Sequence, residues 1–170
     1  MLTLRKTNAI RLRMRIGSYT YDFARPAITA DCVVFCHGAE SLEVLLIERR
    51  FEPFKVCWAL PGGFMMMHED AETAARRELH EETGVRVDKV EQCGAFSDVD
   101  RDPRERVVTI AYYALIDKTE AVAADDAQKA EWFPVDALPP LAFDHDRIIQ
   151  SAMSRLRNKR NMLNDDRKEI

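Results

Sequence analysis

The sequence predicts an α/β protein in which a mixed central sheet is sandwiched between helices. Two segments have the periodicity of amphipathic helices, several short runs are apolar and rich in β-branched residues, and no internal repeat is present. The chain has 170 residues, 46% of them hydrophobic and 32% charged, which fits one globular domain with its own core. We expect this domain at residues 18–158, between a basic arm at 1–17 and a charged tail at 159–170.

Charge and hydropathy exclude several classes of protein. The net charge of −4 argues against a general nucleic-acid binder. No apolar run approaches the ~20 residues that span a bilayer, and basic residues interrupt the N-terminal stretch where a signal peptide would be apolar. The four cysteines form no CxxC pair and have no histidine at zinc spacing. We therefore expect a cytoplasmic protein with reduced thiols.

Apolar and β-branched runs predict the strands of the sheet. In chain order these runs are 19–23, 28–35, 44–47, 58–60, 85–96, 107–116 and 131–134. Charged or polar loops are predicted at 49–55, 97–106 and 121–130.

Two helices complete the predicted layers. The first spans 70–83, because Asp70 is a good N-cap and Gly84 favours the left-handed conformation that ends a helix. The second spans about 144–158, after the break at Pro139-Pro140, and carries apolar residues at helical spacing. The tail from Lys159 is expected to fray.

The first helix places carboxylates on the side that packs. At about 100° per residue, Glu78 and Glu82 fall on the same stripe as Ala74, Ala75 and Leu79. The predicted solvent face consists of Thr73, Arg76, His80 and Thr83. A glutamate run usually forms a solvated face, but two inward carboxylates one turn apart repel each other and lose hydration.

A divalent cation is the most economical compensation for these carboxylates. Arg77 can reach Glu81 but points away from Glu82. Carboxylate oxygens suit Mg²⁺ or Mn²⁺. Just before the helix, Pro61-Gly62-Gly63 lets the backbone approach a ligand closely, and beside a carboxylate-bound ion such a loop is typical of a phosphate site. Alone, the two glycines would indicate only a turn.

This segment resembles the Nudix box. Gly63 is followed after five residues by Glu69 and after seven more by the run RELHEETGV at 77–85, which matches that pattern without a mismatch. The resemblance covers about residues 27–157. It implies an α/β/α sandwich and hydrolysis of a nucleoside diphosphate linked to another group, with Mg²⁺ or Mn²⁺ neutralising the pyrophosphate and activating water.

The resemblance also implies roles for individual residues. Metal ligands would be Glu78, Glu81, Glu82 and the carbonyl of Gly62. Glu69 and Arg77 would brace the loop against the helix, and Gly63 would contact substrate. Catalytic residues would be Glu81, Glu82 and a general base. Asp126 is our first choice of base, with Asp125, Glu120 and the box glutamates as alternatives.

Two further stretches are similar to the ADP-ribose pyrophosphatase branch of that family. They are RDPR at 101–104 and LAFDH at 141–145. Arg101 and Arg104 are the candidate ligands for phosphate or ribose oxygens, although a charged turn would look the same. Trp58, Phe51 and Phe54 could stack on a base, with core or loop packing as the alternative.

The expected reaction converts ADP-ribose to AMP and ribose 5-phosphate. One alternative is the hydrolysis of oxidised nucleoside triphosphates by the same chemistry. Another is a ligand-sensing domain of a transcription regulator, which we expect less because only about a dozen residues follow the last predicted helix. The expected partner is a nucleotide-type small molecule. A homodimer is possible, with the strand at 19–23 contributing to it.

Overall fold

A mixed sheet lies between two helices in the part of the chain that the computed structural model describes, residues 21–123 and 127–166. The strands are β1 Ala27–His37, β2 Leu42–Arg49, β3 Trp58–Ala59, β4 Gly62–Phe64, β5 Glu91–Phe96, β6 Val107–Ile116 and β7 Ala127–Pro134. The helices are α1 Ala71–Thr83, between β4 and β5, and α2 His145–Asp166, after β7. The predicted α/β class with a mixed sheet is confirmed.

Strand β1 is the centre of the sheet. It runs parallel to β6 from Ala27 to Cys36 and antiparallel to the other strands that it contacts. The β3-β2-β1-β6-β5 order is completed by β4, which pairs with β1, and by β7, which pairs with β2. Strand β4 aligns Gly62 with Asp31 and Gly63 with Ala30. This register brings Pro61-Gly62-Gly63, which we call the glycine loop, to the middle of the sheet.

Side chains of β1 alternate between two core clusters, and each cluster includes residues of one helix. Side chains of successive strand residues point to opposite faces. Val33 and Phe35 belong to the core cluster that includes Ile148, Ile149 and Ala152 of α2. Ala30, Cys32 and Val34 belong to the cluster that includes Ala74, Ala75 and Leu79 of α1. The sheet therefore has one helix on each face.

Helix α1 begins and ends where the sequence predicts. The Asp70 side chain accepts a hydrogen bond from the Thr73 amide (2.8 Å), and Gly84 at φ 71° donates its amide to the His80 carbonyl. The predicted exposure of Thr83 is wrong, since this residue is fully buried. Its hydroxyl donates to the Leu79 carbonyl and accepts from the Val85 amide, so it needs no water.

Three predicted segments differ from the structure. Residues 21–23 are not a strand, and the rest of that run, like the arm at 1–17, lies outside the described residues. Strand β5 begins only at Glu91, since residues 85–90 have no strand partner. Strand β7 begins at Ala127, inside the predicted polar loop, because β2 offers pairing partners as far as Arg49.

The charged tail was also mispredicted at its start. Helix α2 continues past Asn158 to Asp166, and Lys159 forms an ion pair with Glu91 of β5. Among the described residues, no helix is long and apolar enough to cross a membrane.

Replacing Gly84 should destabilise the fold through backbone strain alone. Nothing lies within 4 Å of a Cβ added there, but φ 71° disfavours a side chain. We expect Gly84→Ala to lower the free energy of unfolding by about 1 kcal/mol in urea titrations. Gly84→Asn should lose less, because asparagine tolerates the left-handed region. Equal losses in the two variants would contradict this explanation.

Candidate active site

A cleft of about 1050 Å³ opens beside the glycine loop. It lies between this loop, α1, the 97–106 loop and the start of α2. Most of the residues predicted for the site line it. They are Gly62, Gly63, Arg77, Glu78, Glu81, Glu82, Arg101 and Arg104. Asp126 and Asp125 lie outside the described residues, and Glu120 is exposed in a shallow groove beside Trp132, away from the cleft.

Each glycine of the loop lies against a carboxylate. A Cβ on Gly62 would come within 2.2 Å of Asp31 Oδ1 and 2.7 Å of the Ala30 carbonyl. A Cβ on Gly63 would come within 2.5 Å of Glu78 Oε1. The two glycines are therefore required by close approach and not by a turn, since β4 is extended here.

The loop backbone is hydrogen-bonded to both neighbouring elements. The Gly62 amide donates to Glu82 Oε2 (3.0 Å), and the Pro61 carbonyl accepts from the Cys32 amide of β1 (2.9 Å). Glu82 is only 9% exposed, so this bond forms in a largely dry environment. The position of the Glu82 carboxylate thus depends on the position of the loop.

Arg77 and Glu69 connect the other end of the loop to α1. The guanidinium donates through Nε and Nη2 to the two Glu69 oxygens, at 2.9 and 2.6 Å, and Nη2 also donates to the Phe64 carbonyl. Glu69 in turn accepts from the Met66 amide. The hydrogen bond from Arg77 lowers the pKa of Glu69 below its ordinary value. This is the bracing contact that the family resemblance implies.

The same guanidinium bridges two carboxylates in the cleft. Its Nη1 donates to Glu78 Oε1 (2.7 Å) and to Glu81 Oε2 (3.0 Å). Burial raises the pKa of Glu78 above its ordinary value, while the hydrogen bond from Arg77 opposes that rise. Glu78 is therefore a desolvated carboxylate whose charged form depends on a neighbouring cation.

The donor chemistry of this face fits a hard divalent cation. Carboxylate oxygens and a backbone carbonyl are the ligands that Mg²⁺ and Mn²⁺ prefer, and Glu78, Glu81, Glu82 and Gly62 all line one cleft. Within residues 21–123 and 127–166, no three acidic, histidine or cysteine side chains are gathered closely enough to hold an ion as they stand. Arg77 instead takes one oxygen each from Glu78 and Glu81.

The two predicted substrate arginines differ in availability. Arg101 forms a two-pronged ion pair with Asp144 (3.0 and 2.6 Å), and its side chain is 4% exposed. Arg104 pairs with Asp102 but keeps 40% of its side chain exposed. Its guanidinium lies 5.6 Å from the ring centroids of both Phe64 and Phe143. Arg104 is thus the better placed of the two to meet a ligand.

Sequence reasoning missed two buried polar residues of the cleft. Asp31 is 6% exposed and accepts a 2.6 Å hydrogen bond from the Thr109 hydroxyl of β6. A charged residue inside the apolar run 28–35 was the signal that could have identified it. His145 is 4% exposed and accepts from the Leu60 amide. Nothing in the local sequence indicates this contact.

The predicted stacking candidates divide between core and cleft. Trp58 packs edge-on against Phe133, with 4.5 Å between the ring centroids, and belongs to the core. Phe51 is exposed at the cleft. Phe54 makes an edge contact with Phe143.

Comparison with known proteins agrees with this geometry. A family model described as "NUDIX domain" matches residues 25–152. An ADP-ribose pyrophosphatase of Methanocaldococcus jannaschii is 42% identical over 132 residues, which cover 77% of this chain and 75% of the relative.

Two further matches involve ADP-ribose. The ADPR responsive transcriptional repressor NtrR of Acinetobacter baylyi is 38% identical over 81% of this chain, and the match spans 57% of the repressor. The NUDIX domain of Shewanella oneidensis NrtR, solved with ADP ribose, is 30% identical, with a TM-score of 0.75 over 90% of this chain and 99% of that one.

Gly63→Ala should weaken divalent-ion binding. The new Cβ would displace the Glu78 carboxylate from the cleft, since the two would lie 2.5 Å apart. We expect at least about a tenfold loss of Mn²⁺ affinity, the scale of a disturbed metal-site contact, measured by electron paramagnetic resonance.

The matched control for this change is Gly38→Ala in the β1–β2 hairpin. There the new Cβ would approach the Glu43 carboxylate at the same 2.5 Å, away from the cleft. Its Mn²⁺ affinity should equal that of the wild type. Unchanged Mn²⁺ affinity in Gly63→Ala, or an equal loss in Gly38→Ala, would contradict the assignment of Glu78 as a ligand.

Proposed function

This chain belongs to the NUDIX domain family and is a pyrophosphohydrolase, and we propose that it hydrolyses ADP-ribose to AMP and ribose 5-phosphate. The observation that carries the proposal is that Glu78, Glu81 and Glu82 line one cleft together with Gly62 and Gly63. The similarity to an ADP-ribose pyrophosphatase over three quarters of both chains supports the choice of substrate.

Nudix hydrolases generally use a divalent metal ion, and we propose Mg²⁺ here, with Mn²⁺ as the alternative. Glu78, Glu81, Glu82 and the Gly62 carbonyl would hold it. The bound ion would supply charge neutralisation of the diphosphate and acidification of water. The protein's own contribution is the fixed geometry: Glu82 is held by the Gly62 amide and Glu69 by Arg77.

The reaction needs a base that accepts a proton from the attacking water. As oxygen from that water bonds to phosphorus, the bridging P–O bond breaks and its electron pair leaves with the other phosphate. We retain Asp126 as the proposed base and Glu81 as the alternative. Arg77 bridges Glu78 and Glu81, and the Glu81 side chain is the more exposed of the two, at 41% against 16%.

Substrate contacts are proposed around Arg104. Its guanidinium lies 5.6 Å from the ring centroids of both Phe64 and Phe143, and Arg49 also lies over the Phe143 ring, 4.8 Å from its centroid. Guanidinium groups suit phosphate and ribose oxygens, and the rings suit a planar base. Arg101 would not contact substrate directly, but would hold the 97–106 loop in place through its ion pair with Asp144.

A ligand-sensing role is the second candidate, and the similarity to an ADPR responsive transcriptional repressor favours it. That repressor responds to ADP-ribose, and the similar NUDIX domain of Shewanella oneidensis NrtR was solved with ADP ribose bound. A sensor needs to bind the nucleotide but does not need to hydrolyse it. The complete set of box glutamates in this chain supports hydrolysis.

A substrate panel tests the proposal. The full chain is incubated with Mg²⁺ and either ADP-ribose, an oxidised nucleoside triphosphate or the corresponding normal triphosphate, and the products are identified by chromatography. We expect AMP and ribose 5-phosphate, with kcat/KM for ADP-ribose at least about tenfold above either triphosphate. A parallel reaction with chelator should show no turnover.

Two outcomes would contradict the proposal. Preferred release of pyrophosphate from a triphosphate would assign the enzyme to nucleotide sanitation. Saturable ADP-ribose binding in the presence of Mg²⁺, without any product, would favour the sensor.

A further inference from the structure

We propose that His145 is a positioning residue for the glycine loop: it fixes the Leu60 amide and thereby the place of Gly62 and Glu82. The catalytic consequence rests on the proposed function of this cleft. The structural part of the inference, a hydrogen-bonded connection between α2 and the loop, stands independently of the substrate.

The contact joins two distant parts of the chain. The Leu60 amide donates to His145 Nδ1 at 2.9 Å across 85 residues of sequence. Leu60 is 2% exposed and His145 is 4% exposed, so water does not substitute for either partner. A buried amide without an acceptor would lose its hydration and gain no hydrogen bond in return.

Leu60 starts a series of three consecutive backbone anchors. Its amide is held by α2 through His145, the next carbonyl, of Pro61, is held by β1, and the next amide, of Gly62, is held by α1 through Glu82. A shift at Leu60 is therefore transmitted within two residues to the Glu82 carboxylate. Misplacement of a catalytic group by about 1 Å can reduce the rate about 100-fold.

The residues just before His145 are themselves held by hydrogen bonds. Asp144, its neighbour, forms the two-pronged ion pair with Arg101. The Ala142 amide donates to the Trp58 carbonyl (2.8 Å), and the Trp58 amide donates to the Pro140 carbonyl (3.1 Å). The segment that leads into α2 is thus bonded to β3 and to the 97–106 loop, which fixes the position of His145.

An uncharged imidazole suits this position. Burial lowers the pKa of His145 below its ordinary value, which keeps the ring neutral. Because Nδ1 accepts from Leu60, the proton of the neutral ring is on Nε2. The ring also lies against Phe143, with 5.3 Å between the centroids, and lines the cleft. His145 therefore makes two kinds of contact: its Nδ1 accepts a hydrogen bond, and its ring packs against Phe143. Different substitutions can remove one contact and keep the other.

The test compares His145→Asn with His145→Phe and His145→Gln. Asparagine can place its amide oxygen near the Nδ1 position, phenylalanine keeps a ring without an acceptor, and glutamine carries its oxygen one bond further out. Amide hydrogen exchange at Leu60 and Gly62 is measured by NMR, and kcat and KM are measured with whichever panel compound the wild type hydrolyses.

We expect His145→Phe and His145→Gln to lose at least about tenfold in exchange protection at Leu60, one hydrogen bond's worth. Their kcat should fall about 10- to 100-fold with KM nearly unchanged, since groups of the chemical step move. His145→Asn should recover most of both. Ser151→Ala is the matched control on α2, because its hydroxyl contacts the Cys93 carbonyl of β5 and not the loop.

Several results would overturn the inference. Wild-type protection and kcat in His145→Phe would do so, as would equal impairment of the asparagine and glutamine variants or the same kcat loss in Ser151→Ala. If the phenylalanine variant fails to fold, the asparagine and glutamine pair still decides. If no panel compound is hydrolysed, the proposed function fails, and hydrogen exchange alone decides whether His145 fixes the loop.

Discussion

Close approach of carboxylates to a two-residue glycine segment is the constraint on which the rest of this structure depends. Asp31 lies behind Gly62 and Glu78 lies behind Gly63, at distances that leave no room for a Cβ. The central strand β1 supplies the first carboxylate and α1 supplies the second, so the sheet and the helix must meet the loop in one register. The fold can therefore be understood as a frame that holds this loop between the carboxylates of Asp31 and Glu78.

The electrostatics of the frame agree with the proposed divalent cation. One guanidinium, that of Arg77, serves Glu69, Glu78 and Glu81, so negative charge exceeds positive charge among these four side chains. Glu69 and Glu78 are largely buried, so their charged forms need cationic partners. The excess negative charge agrees with the divalent ion that we propose for this cleft.

Local sequence signals predicted what local physics determines. The ends of α1 followed from the capping chemistry of Asp70 and Gly84, and the inward carboxylates followed from helical periodicity. Contacts between distant segments could not be predicted in this way. The start of β7 depends on pairing with β2, and the role of His145 depends on an amide 85 residues away. Such features need the tertiary arrangement, which overrides local propensity.

Turnover of Glu82→Gln at saturating Mg²⁺ tests most directly whether these carboxylates serve metal-dependent catalysis. Glutamine keeps the shape and removes the charge, so the account predicts a loss of at least about 100-fold in kcat with an unchanged circular dichroism spectrum. Glu72→Gln, on the exposed first turn of the same helix, should remain at the wild-type rate. A near-normal rate for Glu82→Gln would contradict the account, because the buried Glu82 carboxylate beside the glycine loop would then have no catalytic use.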